Sequence, residues 1–328
     1  MGAKTRSSKK AIFEFENVKM TRKFEAVLTK VSMNFSRGLL AIFASLIVAV
    51  SVILSGCTSA SAPVLKSATI NTPTIKESGI LKVGVNTSLS PLAGMGNNKI
   101  IGIDVDIAGS IADELGLKLQ IVDTGSTPGK SIQNGEVDIA LGVDKSDVPS
   151  GTKLSEEYLQ TGTCLFALSS KAGSIPSVDS SPKIAAQTSS KSAWAVTNIY
   201  GRDSLTSSAD MSAVFQSLTS GTVDYVAADA IIGKYANNRN NSNAQIIALL
   251  ESASGYCCAV SETNTDLNTT ISQTIKTLKD KGIIDTIVKK WLGDKIDLSN
   301  IMKVEKGTSE TSSTTASATD ANSITSSN

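Results

Sequence analysis

The sequence predicts an α/β protein built as two successive units of alternating strands and helices. Short apolar runs alternate with amphipathic stretches between about residues 73 and 300, and the alternation occurs twice over. Two further amphipathic helices then close the chain with no strand after them. Such helices must bury their apolar faces on a sheet already formed, most simply the first. With 328 residues, 41% apolar and 19% charged, the chain can fill about two cores at ~150 residues per domain.

Leu81-Lys82-Val83-Gly84-Val85 reads as the first strand. From Asp104 to Leu115, residues Val105, Ile107, Ala108, Ile111, Ala112 and Leu115 fall on one helical face, and Gly116 stops the helix. Leu117 to Val122 makes a second strand, a short helix ends at 131–135, and Val137 to Leu141 makes a third strand. The second unit has strands at 183–187, 223–227 and 246–250 and helices near 191–200, 211–220 and 229–236. The closing helices are Asp266 to Lys281 and Ile284 to Leu292.

Both ends of the chain read differently. From Gly38 an uncharged apolar run reaches Leu54, and Leu54-Ser55-Gly56-Cys57 closes it. A basic region, an apolar region and small residues before a cysteine are the parts of a secretory signal. The ending resembles a bacterial lipobox, which implies cleavage after Gly56 and acylation of Cys57. An uncleaved transmembrane helix is the alternative, since about 17 residues is the lower bound for spanning. Eight of the nine basic residues before Cys57 precede Met33, so translation from Met20 or Met33 rather than Met1 would give a more compact signal. Thr58 to about Thr72 is small and polar, as in a spacer. Lys306 to Asn328 is nearly all Ser, Thr, Ala and acidic residues, which cannot bury enough apolar area to order themselves.

Charge and composition exclude several functions. The chain holds 31 Lys+Arg against 30 Asp+Glu, but nine basic and three acidic groups precede Thr58, leaving the remainder net acidic. A domain of that sign has no electrostatic reason to bind nucleic acid. The absence of histidine rules out Ser-His and Cys-His triads and His-ligated zinc.

Three segments carry a specific resemblance: GILKVGVNTSLSPLAG with IIGIDVDIAGSIADELGLKLQIV, then LTSGTVDYVAADAIIGKYA, then LKDKGIIDTIVKKWLG. Together they resemble the extracellular solute-binding proteins of family 3, the polar-amino-acid receptors of ABC importers, over roughly residues 78–293. The resemblance implies a two-lobe clamshell of the periplasmic-binding-protein type 2 fold with two crossover hinge strands. On this reading the signal spans 1–57, a flexible linker 58–74, the first lobe 75–162, the second lobe with the first crossover 163–254, the return to the first lobe 255–300, and a disordered tail 301–328. It further implies a small solute and an ABC permease as partners, a bilayer reached through Cys57, a monomer, no cofactor and no catalysis. A diverged non-transport binding or sensor lipoprotein is the alternative, and a dehydratase on the same scaffold a more distant one.

The ligand pattern is only partly kept. Family members grip an α-carboxylate with an arginine after the third strand, whose bidentate fork a lysine cannot reproduce. Here Gly142 to Lys153 contains no arginine; Lys145 or Lys153 could supply a point charge or be a solvated loop lysine. Thr188, Ser189, Ser190 and Lys191 match the loop entering a second-lobe helix, and suit either an anion or a plain helix cap. Asp229 matches the residue that receives a ligand ammonium; capping the next helix is its other reading. Asn86 replaces an aspartate common in receptors for cationic amino acids, while Leu89 and Leu92 replace aromatic walls. By the resemblance, Cys164 lies on the outgoing crossover strand beside Cys257 and Cys258 on the returning one. Cys164 could then bridge one of that pair, with buried free thiols and a vicinal 257–258 disulfide as the alternatives.

Overall fold

The computed structural model describes residues 66–305. The expected signal, the acylation site at Cys57 and the tail beyond Glu305 lie outside those residues. Among the described residues no helix is long and apolar enough to cross a membrane.

The first sheet holds β1 (Ile80–Val85), β4 (Lys118–Asp123), β5 (Ile139–Asp144), β6 (Thr152–Thr161) and β12 (Ser254–Ser261), in the order β4-β1-β5-β12-β6. A small hairpin of β2 (Gly94–Gly96) and β3 (Lys99–Ile101) precedes α1 (Ile103–Glu114), and α2 (Pro128–Gln133) joins β4 to β5. The second sheet holds β7 (Thr163–Leu168), β8 (Ile184–Gln187), β9 (Leu205–Ser208), β10 (Tyr225–Asp229) and β11 (Ala244–Leu249), in the order β11-β7-β10-β8-β9. Its helices are α3 (Lys191–Tyr200), α4 (Met211–Thr219) and α5 (Ala230–Arg239). After β12 come α6 (Thr265–Asp280) and α7 (Ile283–Leu292). Their apolar residues, Leu267, Ile271, Ile275, Leu278, Ile284 and Leu292, join the first core with Leu81, Val83, Ile107 and Ile111.

The second sheet is buried on both faces, which its side-chain alternation records. Cys164, Phe166, Val226 and Ala228 enter one core, while Leu165, Ala167, Tyr225 and Ala227 enter the other. Phe166 meets Phe215 of α4 edge-on, with ring centroids 5.5 Å apart. Two strands begin two residues later than their apolar runs. At Val137-Asp138 and Val223-Asp224 the aspartate N–H already bonds a neighbouring strand, to the carbonyls of Lys82 and Lys183. Asp138 also accepts from the N–H groups of Lys76 and Lys82, so these residues tie strand entries rather than extend ladders.

Two antiparallel strands join the sheets: β6 leaves through Gly162 to β7, and β11 returns to β12. They run together from Thr161 opposite Ser254 to Thr152 opposite Ser261. The second lobe also packs on the first through α5. Ile231 lies in the first core, Tyr235 stacks obliquely on Trp291 at 6.5 Å, and Asn238 donates to the Leu292 carbonyl.

Three expectations need correction. Cys164, Cys257 and Cys258 are all free and buried. Gly162 ends the crossover before Cys164, which pairs in the second sheet opposite Ala228 and Leu249, whereas Cys257 faces Val143 and Glu157 in the first. The adjacent thiols also point apart, with Cys258 in the first core and Cys257 outside it. The spacer is not free of the fold from Lys66 onward: its ammonium pairs with Asp113 and Glu114, and Thr69 N–H donates to the Leu115 carbonyl. Residues 301–304, expected to open a tail, instead bond the edge strand β11. Leu249 N–H donates to the Met302 carbonyl and Val304 N–H to that of Leu249, each at 2.8 Å. Composition misses this because only Ile301, Met302 and Val304 are apolar, yet they meet an unpaired strand edge.

Candidate functional site

One place where both lobes offer polar groups lies at the ends of β5 and β8. Asp144, the last residue of β5, accepts from the hydroxyl of Ser254, from Ser146 N–H and from Ser146 Oγ, the latter two at 2.9 Å. Burial alone would raise its carboxyl, but these bonds and the Lys191 charge hold it below the ordinary carboxylate range. Lys191 opens α3 in the second lobe. Its ammonium reaches across to Ser146 Oγ at 2.8 Å and Asp144 Oδ2 at 3.4 Å, and stands 3.6 Å from Glu251 of its own lobe. Glu251 is fixed by Thr163 Oγ1 at 2.7 Å.

The loop before α3 is a helix start built by its own side chains. Ser190 caps the helix by accepting from Ala193 N–H at 3.1 Å. Ser189 adopts a left-handed φ of 57° where a glycine would be unstrained. Thr188 turns its hydroxyl and its N–H onto the Ser208 carbonyl. Thus the structure brings Lys191 to the cleft and gives Thr188 and Ser190 local partners.

Asp229 sits where β10 meets α5 and is part-buried. Oδ1 accepts from Ile231 and Ile232 N–H, and Oδ2 from Thr161 Oγ1 at 2.5 Å and Tyr256 at 3.0 Å. Burial pushes its carboxyl above the ordinary value, against these four donors. Both readings of Asp229 therefore keep a basis: it caps α5, and it does so beside the crossover strands.

The remaining predicted residues sit in the first lobe. Asn86 accepts from Ser88 N–H at the end of β1. Leu89 is half-buried against the first core and Leu92 is fully buried in it. Gly142 needs its glycine: φ is 75°, and a Cβ would come within 2.6 Å of Asp104 Oδ2. Its N–H donates to the Tyr158 hydroxyl at 2.8 Å, which in turn donates to Asp104 Oδ1 at 2.6 Å. Lys145 pairs with Glu157 at 2.5 Å beside the crossover strands. Lys153, on β6, is exposed. A groove of about 500 Å³ between α1, α6 and α7 belongs to the first lobe alone and includes none of these residues.

Asp144, Ser146 and Glu251 were not assigned as ligand-binding residues from sequence. Their common partner is Lys191, and Asp144 is 47 positions from it. The one available signal was position: polar side chains just beyond strand ends, where open α/β sheets place their ligands.

Residues 81–294 match the model of the bacterial extracellular solute-binding proteins, family 3. The chain is 28% identical over 227 residues to the ABC transporter glutamine-binding protein GlnH of Bacillus subtilis, covering 66% of this chain and 83% of that one. An ancestral cationic amino acid solute-binding protein superposes with a TM-score of 0.58 at 22% identity, over 65% of this chain and 96% of the other. The L-cystine solute receptor of Neisseria gonorrhoeae, in its unliganded open conformation, superposes with a TM-score of 0.56 at 19% identity, over 66% and 94%. These two likenesses show the two-lobe type 2 fold.

Proposed function

Because the chain belongs to the bacterial extracellular solute-binding proteins of family 3, we propose that it captures a small amino-acid-like solute between its lobes and delivers it to an ABC importer. In this reading lipid on Cys57 anchors it at the outer face of the cell membrane, and it works as a monomer without catalysis. The supporting observation is the meeting of Lys191 from the second lobe with Asp144 and Ser146 from the first, because one small molecule seated there can touch both lobes. Closure is then driven by the solute's higher affinity for the closed state. An α-carboxylate would face the first turn of α3 and the Lys191 ammonium, in place of the missing arginine. An α-ammonium would face Asp229 or Asp144.

A thermal-shift screen tests this, beginning with glutamine, since the B. subtilis relative is named for it, and extending to cationic amino acids, cystine and short peptides. A true solute at a hundredfold its Kd adds about 2.7 kcal/mol, which for a domain of this size raises Tm by roughly 5–10 °C. In cells, Cys57→Ser should move the protein out of the membrane fraction. If no solute in the screen raises Tm, the import reading fails, and a diverged binding lipoprotein of the same fold takes its place.

A further inference from the structure

We propose that Lys191 is a latch that holds the two lobes together when no solute is bound. Its backbone belongs to the second lobe, at the first position of α3, while two of its three ammonium partners, Asp144 and Ser146, belong to the first. The third, Glu251, lies on the second lobe, so the side chain is steadied at home and lands across the cleft. The receiving side is prepared. Ser254 and both the N–H and hydroxyl of Ser146 converge on Asp144, leaving its Oδ2 toward Lys191. An ammonium of the chain itself thus occupies the gap between the lobes.

The pair is partly exposed, with 49% of the Lys191 side chain and 23% of that of Asp144 accessible. Interactions of that kind shift an equilibrium by a factor of up to about five. Such a factor biases the closed state without sealing it, which is what a cleft that must admit a solute requires. A solute carrying its own ammonium would compete with Lys191 for Asp144, and one without would close the lobes around the latch.

The test measures the distance between spin labels on the full chain without solute, in a Cys57→Ser background. Labels are placed through Asp147→Cys in the first lobe and Asn198→Cys in the second, both exposed. The three native thiols are at most 2% accessible and stay unlabelled. The wild-type background should show a dominant short distance at low salt. Lys191→Met and Asp144→Asn should each move population to a longer distance by up to about fivefold, Lys191→Arg should retain the short one, and 0.5 M salt should reproduce the Met variant in the wild type. The latch is refuted if Lys191→Met leaves the distribution unchanged, or if Arg and Met behave alike. Because no solute is present, that result would leave the import reading intact. A latch without any solute in the screen would sink import alone.

Discussion

Asp104 stands at the start of α1 with its carboxylate inside the first lobe, where it meets the Tyr158 hydroxyl and the close approach of Gly142. Burial raises its carboxyl to about 7, against the lowering effect of the Tyr158 bond. In the unfolded chain the same group titrates near ~3.9. Between those values the folded state keeps a proton that the unfolded state has released, so stability falls as pH rises through that window and levels off above about 7. The contribution is on the order of 4 kcal/mol at most. Asp104→Asn keeps an acceptor for Tyr158 and removes the titration. Urea midpoints from pH 4 to 7 should therefore decline in the wild type more steeply than in the variant. Parallel profiles would mean that Asp104 stays charged. The helix start at Asp104 was legible in the sequence. Its burial was not, because Tyr158 lies 54 positions away.

At the scale of elements, α3 shows how a helix start divides its labour. Ser190 holds the first turn through Ala193 N–H, Thr188 fastens the loop to β9, and Lys191 alone is sent across the cleft. Ser190→Ala should then cost about 1 kcal/mol of stability with no solute present, read from urea denaturation. An unchanged midpoint would return the hydroxyl to a solute role. The sequence offered both readings of this loop because Ser and Thr oxygens suit a cap and an anion equally. Strand starts were legible to within two residues, with Asp138 and Asp224 tying neighbouring strands where ladders were expected to begin. The long crossover strand β6 was not assigned from its own pattern. Its sequence TKLSEEYLQT lacks a sustained alternation, and pairing with β12 is what extends it.

At the scale of the molecule, the lobes are coupled on the hinge side by more than two strands. Ile231, Tyr235 and Asn238 of α5 reach the first lobe, and the segment after α7 returns to the second. There Leu298 is 2% exposed in a second-lobe core, its N–H donates to Gln160 of β6, and Ile296 packs against both lobes' cores. This strap lies beyond residue 294, where the family match ends. The described chain should consequently unfold in a single calorimetric transition. Leu298→Ala should cost roughly 2–5 kcal/mol and separate the scan into two transitions; one sharp transition at an unchanged Tm would show that the strap carries no coupling. The α/β class, the two units and the family could be read from the chain alone, since periodicity and local motifs are properties of neighbouring residues. Folding in three dimensions was needed to show that the cysteines stay apart, that Leu298 is core, and that Asp144, Glu251 and Lys191 share one place. Those outcomes depend on which strand ends the topology brings together, and contacts between distant residues leave no periodic trace in a single chain.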